Sequence, residues 1–255
     1  MRLIITLIIL PLLMVGCGTP YSSNPYSKFY YDLTGVKDII TIPTIVMTKD
    51  KPKIFRGNNQ EEETLQMLED GYGLIGYSAF NTKKVKEKIA IDQANKIHAS
   101  VVIIYSKYDG TVSGIMPLTL STSQISDITL SSNVDSSGMT YIPYDINRAD
   151  YFATYWIKKK TPIFGVIPQE LPANMRLEVQ SNKGVSVFAV IKGSPAFQSD
   201  ILRGDIITEI GNIKINDNET YSKTLGEYIG QKVNIVIIRD GKEIEKEIQL
   251  NKRSE

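Results

Sequence analysis

The chain has 255 residues, a formal net charge of +1, and 42 % hydrophobic and 22 % charged residues. So even a charge balance supplies no long-range field for nucleic acid, and the composition excludes both a disordered chain and a polytopic membrane bundle. With one cysteine, Cys17, and one histidine, His98, an intrachain disulfide and a zinc centre of several Cys or His ligands are excluded as well.

Arg2 precedes an apolar run from Leu3 to Val15, broken only by Thr6. At about 13 residues the run is too short to span a bilayer, which takes about 20. It fits the h-region of a secretory signal. The run ends in Met14-Val15-Gly16-Cys17-Gly18, which resembles the bacterial lipobox, with Met14 in place of the usual leucine. The resemblance implies residues 1–16 as a lipoprotein signal peptide, cleavage before Cys17, and acylation of Cys17 with palmitate-type chains. It further implies a bacterial cell-envelope location, at the outer membrane if the cell is Gram-negative, given Gly18 rather than Asp. Acylation also accounts for an unpaired cysteine in an exported chain, and more than one acyl chain gives stable anchoring. A plain signal peptide with an incidental cysteine is the alternative. Residues 17–38, rich in turn formers and tyrosines, are expected to form a lipidated tether.

A first domain is expected over 39–160. Asn59-Gln60-Glu61-Glu62-Glu63 opens a helix that stops at Asp70-Gly71, with acidic residues in its first turn. Tyr72 to Phe80 is a strand candidate. Thr82 to His98 carries Val85, Ile89, Ala90, Ala94 and Ile97 at helical spacing, and Val101–Tyr105 is a short buried strand. Strand, helix and strand in that order predict a parallel pair joined by a right-handed crossover. The segments Glu69–Phe80 and Asp92–Val102 also resemble small βαβ-type domains of bacterial envelope lipoproteins, which implies a fold and no chemistry. The Ser/Thr-rich stretch from 110 to 140 suggests antiparallel strands or a long hairpin, with a mobile loop over Ser131–Gly138. Phe152, Thr154 and Trp156 should share one face of an aromatic strand. Lys158-Lys159-Lys160 reads as a solvated junction to a second domain over 161–252.

In that second domain Ile163-Phe164-Gly165-Val166 is followed by Gly184-Val185-Ser186-Val187, Gly193-Ser194-Pro195-Ala196, Leu202-Arg203-Gly204-Asp205-Ile206-Ile207, Ile210-Gly211-Asn212 and Arg239-Asp240-Gly241-Lys242. Ser194 is an N-cap with Pro195 at the first helical position. Lys232–Ile237 and Glu243–Ile248 alternate at period two, as half-buried paired strands do. The order of these motifs, over about 85 residues, resembles the PDZ domains of HtrA-type bacterial proteases. The resemblance implies a PDZ-like β-barrel capped by two helices, which after the small mixed α/β, βαβ-containing first domain makes an α+β chain. It implies binding of peptide C-termini or strands, with Phe164, Gly165 and Val166 holding the carboxylate and Tyr221 and Leu225, on the facing helix, lining the side-chain pocket. An apolar C-terminal residue is the expected ligand, and Pro168 removes one N–H from the pairing strand.

Catalysis finds no support in the residues. The Gly-Asn-Ser-Gly-Gly setting of an HtrA nucleophile is absent from the sequence. His98 falls at a helix C-terminus, where a capping role suits it. Gly71-Tyr72-Gly73-Leu74-Ile75-Gly76 lacks the strand-first context of a dinucleotide loop. Neither a cofactor nor a metal site is expected. The expectation is a lipid-anchored adaptor or scaffold. Two alternatives remain: a structural cell-surface lipoprotein making fixed contacts, and an unrecognised hydrolase or protease regulator.

Overall fold

A computed structural model of the chain describes residues 24–82, 85–106, 111–118, 140–147 and 151–253. In chain order the first unit holds α1 (Pro25–Lys28), β1 (Tyr30–Asp32), β2 (Lys53–Gly57), α2 (Gln60–Glu69), β3 (Tyr72–Phe80), α3 (Lys88–Lys96), β4 (Val101–Ser106), β5 (Thr111–Leu118), β6 (Thr140–Asn147) and β7 (Tyr151–Lys158). The second holds β8 (Val166–Glu170), α4 (Ala173–Glu178), β9 (Val185–Val190), α5 (Pro195–Gln198), β10 (Ile206–Ile210), β11 (Ile213–Lys214), α6 (Asn218–Glu227), β12 (Lys232–Arg239) and β13 (Lys242–Gln249). The class is α+β.

α2 starts where the sequence predicts. Asn59 accepts the Glu62 N–H at its side chain, and three glutamates fill the first turn, which the helix dipole favours. α3 starts later than Thr82. Val85 spends its N–H on the Tyr151 hydroxyl (2.9 Å) rather than on a helical turn, and the regular helix begins at Lys88.

The first sheet runs β1-β3-β7-β4-β2. β7 is its centre because it is apolar on both faces: Phe152 and Trp156 point one way, Ala153, Tyr155 and Ile157 the other. Thr154 shares the first face, where it accepts the Trp156 indole N–H (2.9 Å), so a buried donor is satisfied within the strand. This central position corrects the expected β3–β4 pair. β7 lies between them, antiparallel to both, and the parallel neighbour of β4 is β2. β5 and β6 pair as an antiparallel hairpin; the loop expected over Ser131–Gly138 lies outside the described residues.

The tether expected to residue 38 ends sooner. Tyr26 and Leu33 are buried in the two cores of this unit, and β1 pairs with β3. Burying side chains of that size contributes about 1.5–3 kcal/mol each, enough to fold this segment onto the sheet. The lysine triplet is likewise no solvated junction. Lys158 donates to the Asp70 carbonyl and lies over the Tyr72 ring, the Lys159 N–H donates to the Gly71 carbonyl (3.0 Å), and the Lys160 N–H to that of Thr44 (2.7 Å).

The second sheet runs β13-β12-β10-β9-β8, with β11 attached to β10. It is an open path with β8 and β13 at its two edges, not the closed barrel expected. Its core gathers Val166, Val185, Val187, Val190, Ile207, Ile235 and Ile237. Asp240 and Gly241 both have positive φ (51° and 71°), as a two-residue hairpin turn requires. Asp205, 1 % exposed, receives Arg239 through two oxygens (2.6 and 2.7 Å) and caps the Leu202 N–H (2.8 Å). The Leu202-Arg203-Gly204-Asp205 segment therefore supplies a buried carboxylate whose forked ion pair ties the end of β12 to the turn before β10.

The units share a core. β8 pairs Ile167 with Ala189 and then Pro168 with Val187, so Phe188 is an extra residue on β9. This bulge breaks the alternation of side chains. Val187 and Val190 face the second unit's core, while Phe188 and Ala189 turn together toward the first. Ile167, Ala189 and Phe188 pack there with Leu68, Phe152 and Trp156.

Candidate functional site

β8 carries the site because, among the described residues, no strand pairs with one side of it. The Ile191 N–H donates to the Gly165 carbonyl (2.8 Å). In antiparallel pairing the next residue turns its own N–H and C=O to the opposite side, which places those of Val166 on the open edge. Pro168, two residues on and in the same phase, offers only its carbonyl. α6 packs against β8 and β10.

The turn before β8 requires its glycine. Gly165 has φ +98°, and a Cβ there would stand 2.1 Å from Ser194 Cβ. Ser194 is fixed in turn, since its hydroxyl accepts the Phe197 N–H (3.2 Å) and caps α5. The Phe164 carbonyl accepts the Ala196 N–H (2.9 Å). Both loop carbonyls are thus tied down from behind.

Phe164 (2 % exposed), Val166 and Tyr221 (4 % exposed) lie in one apolar cluster, with Leu225 at its margin. All five residues expected to bind peptide therefore belong to one region of the fold. Cys17 lies outside the described residues. The Tyr221 hydroxyl is buried and has no hydrogen-bond partner among the described residues, and burial pushes its phenol well above the usual range. Asn218, one turn earlier and fully buried, leaves both amide atoms unpartnered among those residues. Sequence reasoning missed Asn218; its signal was its place directly after the helix cap Asp217. That cap accepts the Thr220 N–H and hydroxyl (both 2.7 Å), which hold its carboxyl below the usual carboxylate range.

His98 takes up a left-handed conformation (φ 57°) just past α3 and lines a cleft of about 360 Å³ with Tyr30, Asp32, Lys37 and Lys96. Among the described residues there is no group of three or more His, Cys, Asp or Glu placed to hold a metal, and no helix long and apolar enough to cross a membrane.

The second unit thus combines an edge strand with outward backbone groups, a facing helix and a glycine turn before the strand. Residues 171–250 match the family model of the PDZ domain, and this segment is a PDZ domain. The match begins one residue after β8, so the glycine turn and the edge strand precede it.

Among solved structures the chain is similar to a variant of the HtrA-type protease AlgW with a decapeptide (18 % identity, TM-score 0.32, covering 40 % of this chain and 37 % of that one). It is also similar to the HtrA3 PDZ domain bound to a phage-derived ligand (20 %, TM-score 0.29, 34 % and 82 %). A third is the serine endoprotease from Yersinia pestis (19 %, TM-score 0.27, 37 % and 30 %). The chain thus aligns with little more than a third of the AlgW protease. No curated protein matches it.

Proposed function

We propose that the chain is a non-catalytic adaptor that takes peptide C-termini onto the open edge of β8, and that a lipid on Cys17 holds it in the bacterial cell envelope. The observation that carries the reading is the unpaired Val166 backbone beside α6, behind a turn that only glycine permits. Successive N–H groups of such a turn make a concavity for a carboxylate. The ligand's last side chain meets Phe164, Val166, Tyr221 and Leu225, so an apolar residue fits. The unpartnered Asn218 amide and Tyr221 hydroxyl favour a polar group further back, because leaving each unsatisfied costs about 1–3 kcal/mol.

A second reading, fixed contacts around a closed groove, is favoured by the near-complete burial of Phe164 and Tyr221. Calorimetry with peptides bearing a free or an amidated C-terminus separates the two. The adaptor reading expects binding that needs the free carboxylate and is abolished by Gly165→Glu. Equal binding of both peptide forms, or none, sinks it. For the anchor, Cys17→Ser should move the protein from the membrane to the soluble fraction, and unchanged fractionation refutes lipidation.

A further inference from the structure

Contacts outside the groove join the first unit to the glycine turn. The Ile191 N–H donates to the Gly165 carbonyl, and the very next N–H, that of Lys192, donates to the Glu69 carbonyl at the end of α2 (both 2.8 Å). Lys192 Nζ lies 2.7 Å from Asp70 Oδ1. A cation at that place is also favoured by the carbonyl end of α2. Their side chains are 51 % and 37 % exposed, so the ion pair contributes little stability by itself. Its effect is positional: it fixes the residue that follows the donor to Gly165. Behind the same strand, Ile167 and the bulge residues Phe188 and Ala189 are packed into the first unit's core. Ile191 packs there too, and a Cβ on Gly71 would touch it at 3.5 Å.

From this we infer that the first unit is a working part of the peptide site, with Asp70, Lys192 and Phe188 as positioning residues for the glycine turn. The functional half of the inference rests on the peptide-binding reading; the positional half stands on these contacts alone. A peptide carboxylate drawn into the turn loads the Gly165–Ile191 bond, and Lys192 passes that load to α2. Any event that loosens the last turn of α2 loosens the carboxylate site in return.

The test uses the full chain and amide hydrogen exchange. Lys192→Met and Phe188→Ala should each speed exchange at Ile191 and Ala196, the donors to the two turn carbonyls, by about threefold or more while leaving β12 unchanged. Lys192→Arg, which keeps the ion pair, should restore the wild-type rate. Unchanged exchange at both amides overturns the inference. The same variants are then titrated with pooled hexapeptides ending in Val, Leu or Ile with a free carboxylate. Weaker binding that follows the exchange rates supports the functional half, and unchanged affinity despite faster exchange overturns it. If the wild-type chain binds none of these peptides, the groove reading fails, whereas faster exchange in the variants still upholds the positional half.

Discussion

β13 and β8 close the two ends of one sheet, yet their unpaired sides are built from different chemistry. β13 reads Lys-Glu-Ile-Glu-Lys-Glu-Ile-Gln, with charges on its exposed side and Lys246 in phase with the inward Ile244 and Ile248. An inward charge and a charged rim keep an edge from pairing with another chain. β8 has only five residues and keeps Val166 and Pro168 on its rim. A glycine turn and a facing helix restrict which strand can reach it. The lesson is that an edge hemmed in by a turn and a helix can stay uncharged, whereas an edge without such neighbours is guarded by charge.

The largest expected effect breaks the β13 end. Asp205→Ala removes the buried acceptor of Arg239, itself 26 % exposed, and the cap on Leu202, which should lower unfolding free energy by about 2–3 kcal/mol in urea titration. At the β8 end, Asp217→Ala removes the cap of α6 and should cost about 1 kcal/mol. Its carboxyl is depressed in the folded state, so the unfolded chain binds more protons in acid. The contribution should be full above the unfolded value of about 3.9 and fade as pH falls through the lower folded value. A urea series across that range, with the alanine variant flat by comparison, checks the sign.

Pro168→Ala sharpens the contrast, because its two effects have opposite signs. It restores an N–H to the open rim, so a pairing peptide should bind about two- to tenfold tighter, one hydrogen bond's worth. The folded chain should meanwhile lose about 0.4–1 kcal/mol through a freer unfolded state. The smallest change to a single chain is Lys246→Ile, which removes the inward charge from β13. A concentration-dependent dimer in sedimentation velocity is the expected outcome, and a monomer at all concentrations would show that the remaining rim charges suffice.

Much of this contrast was legible in the residues. Period-two alternation marked β12 and β13, Ser194-Pro195 marked α5, and the spacing around Phe164-Gly165-Val166 placed the turn. Local signals also found α2 and β3, whose cap and stop residues lie within the elements or beside them. What stayed hidden depends on distant partners. β1 is three residues long, and nothing local separates Tyr30–Asp32 from a tether; its place comes from pairing with β3. Val187–Val190 is an apolar run, and such a run is compatible with either face, so no pattern within it announces a bulge. Asn218 could be read as the start of a helix, but its burial follows from how α6 packs.

The bulge at Phe188 also sets a reading frame. Alternation restarts after it, so Val187 and Val190 both fill the second unit although they lie three residues apart, while Phe188 and Ala189 both face the first. Deleting this one residue would leave every strand of the second sheet in place on paper. It would turn β9 into a regular ribbon in which Val187 and Val190 still face the second unit and Ala189 still faces the first, with only the Phe188 side chain lost from the shared core. The extra residue thus doubles the side chains that β9 sends to the first unit, and its removal would thin that contact without touching the open edge of β8.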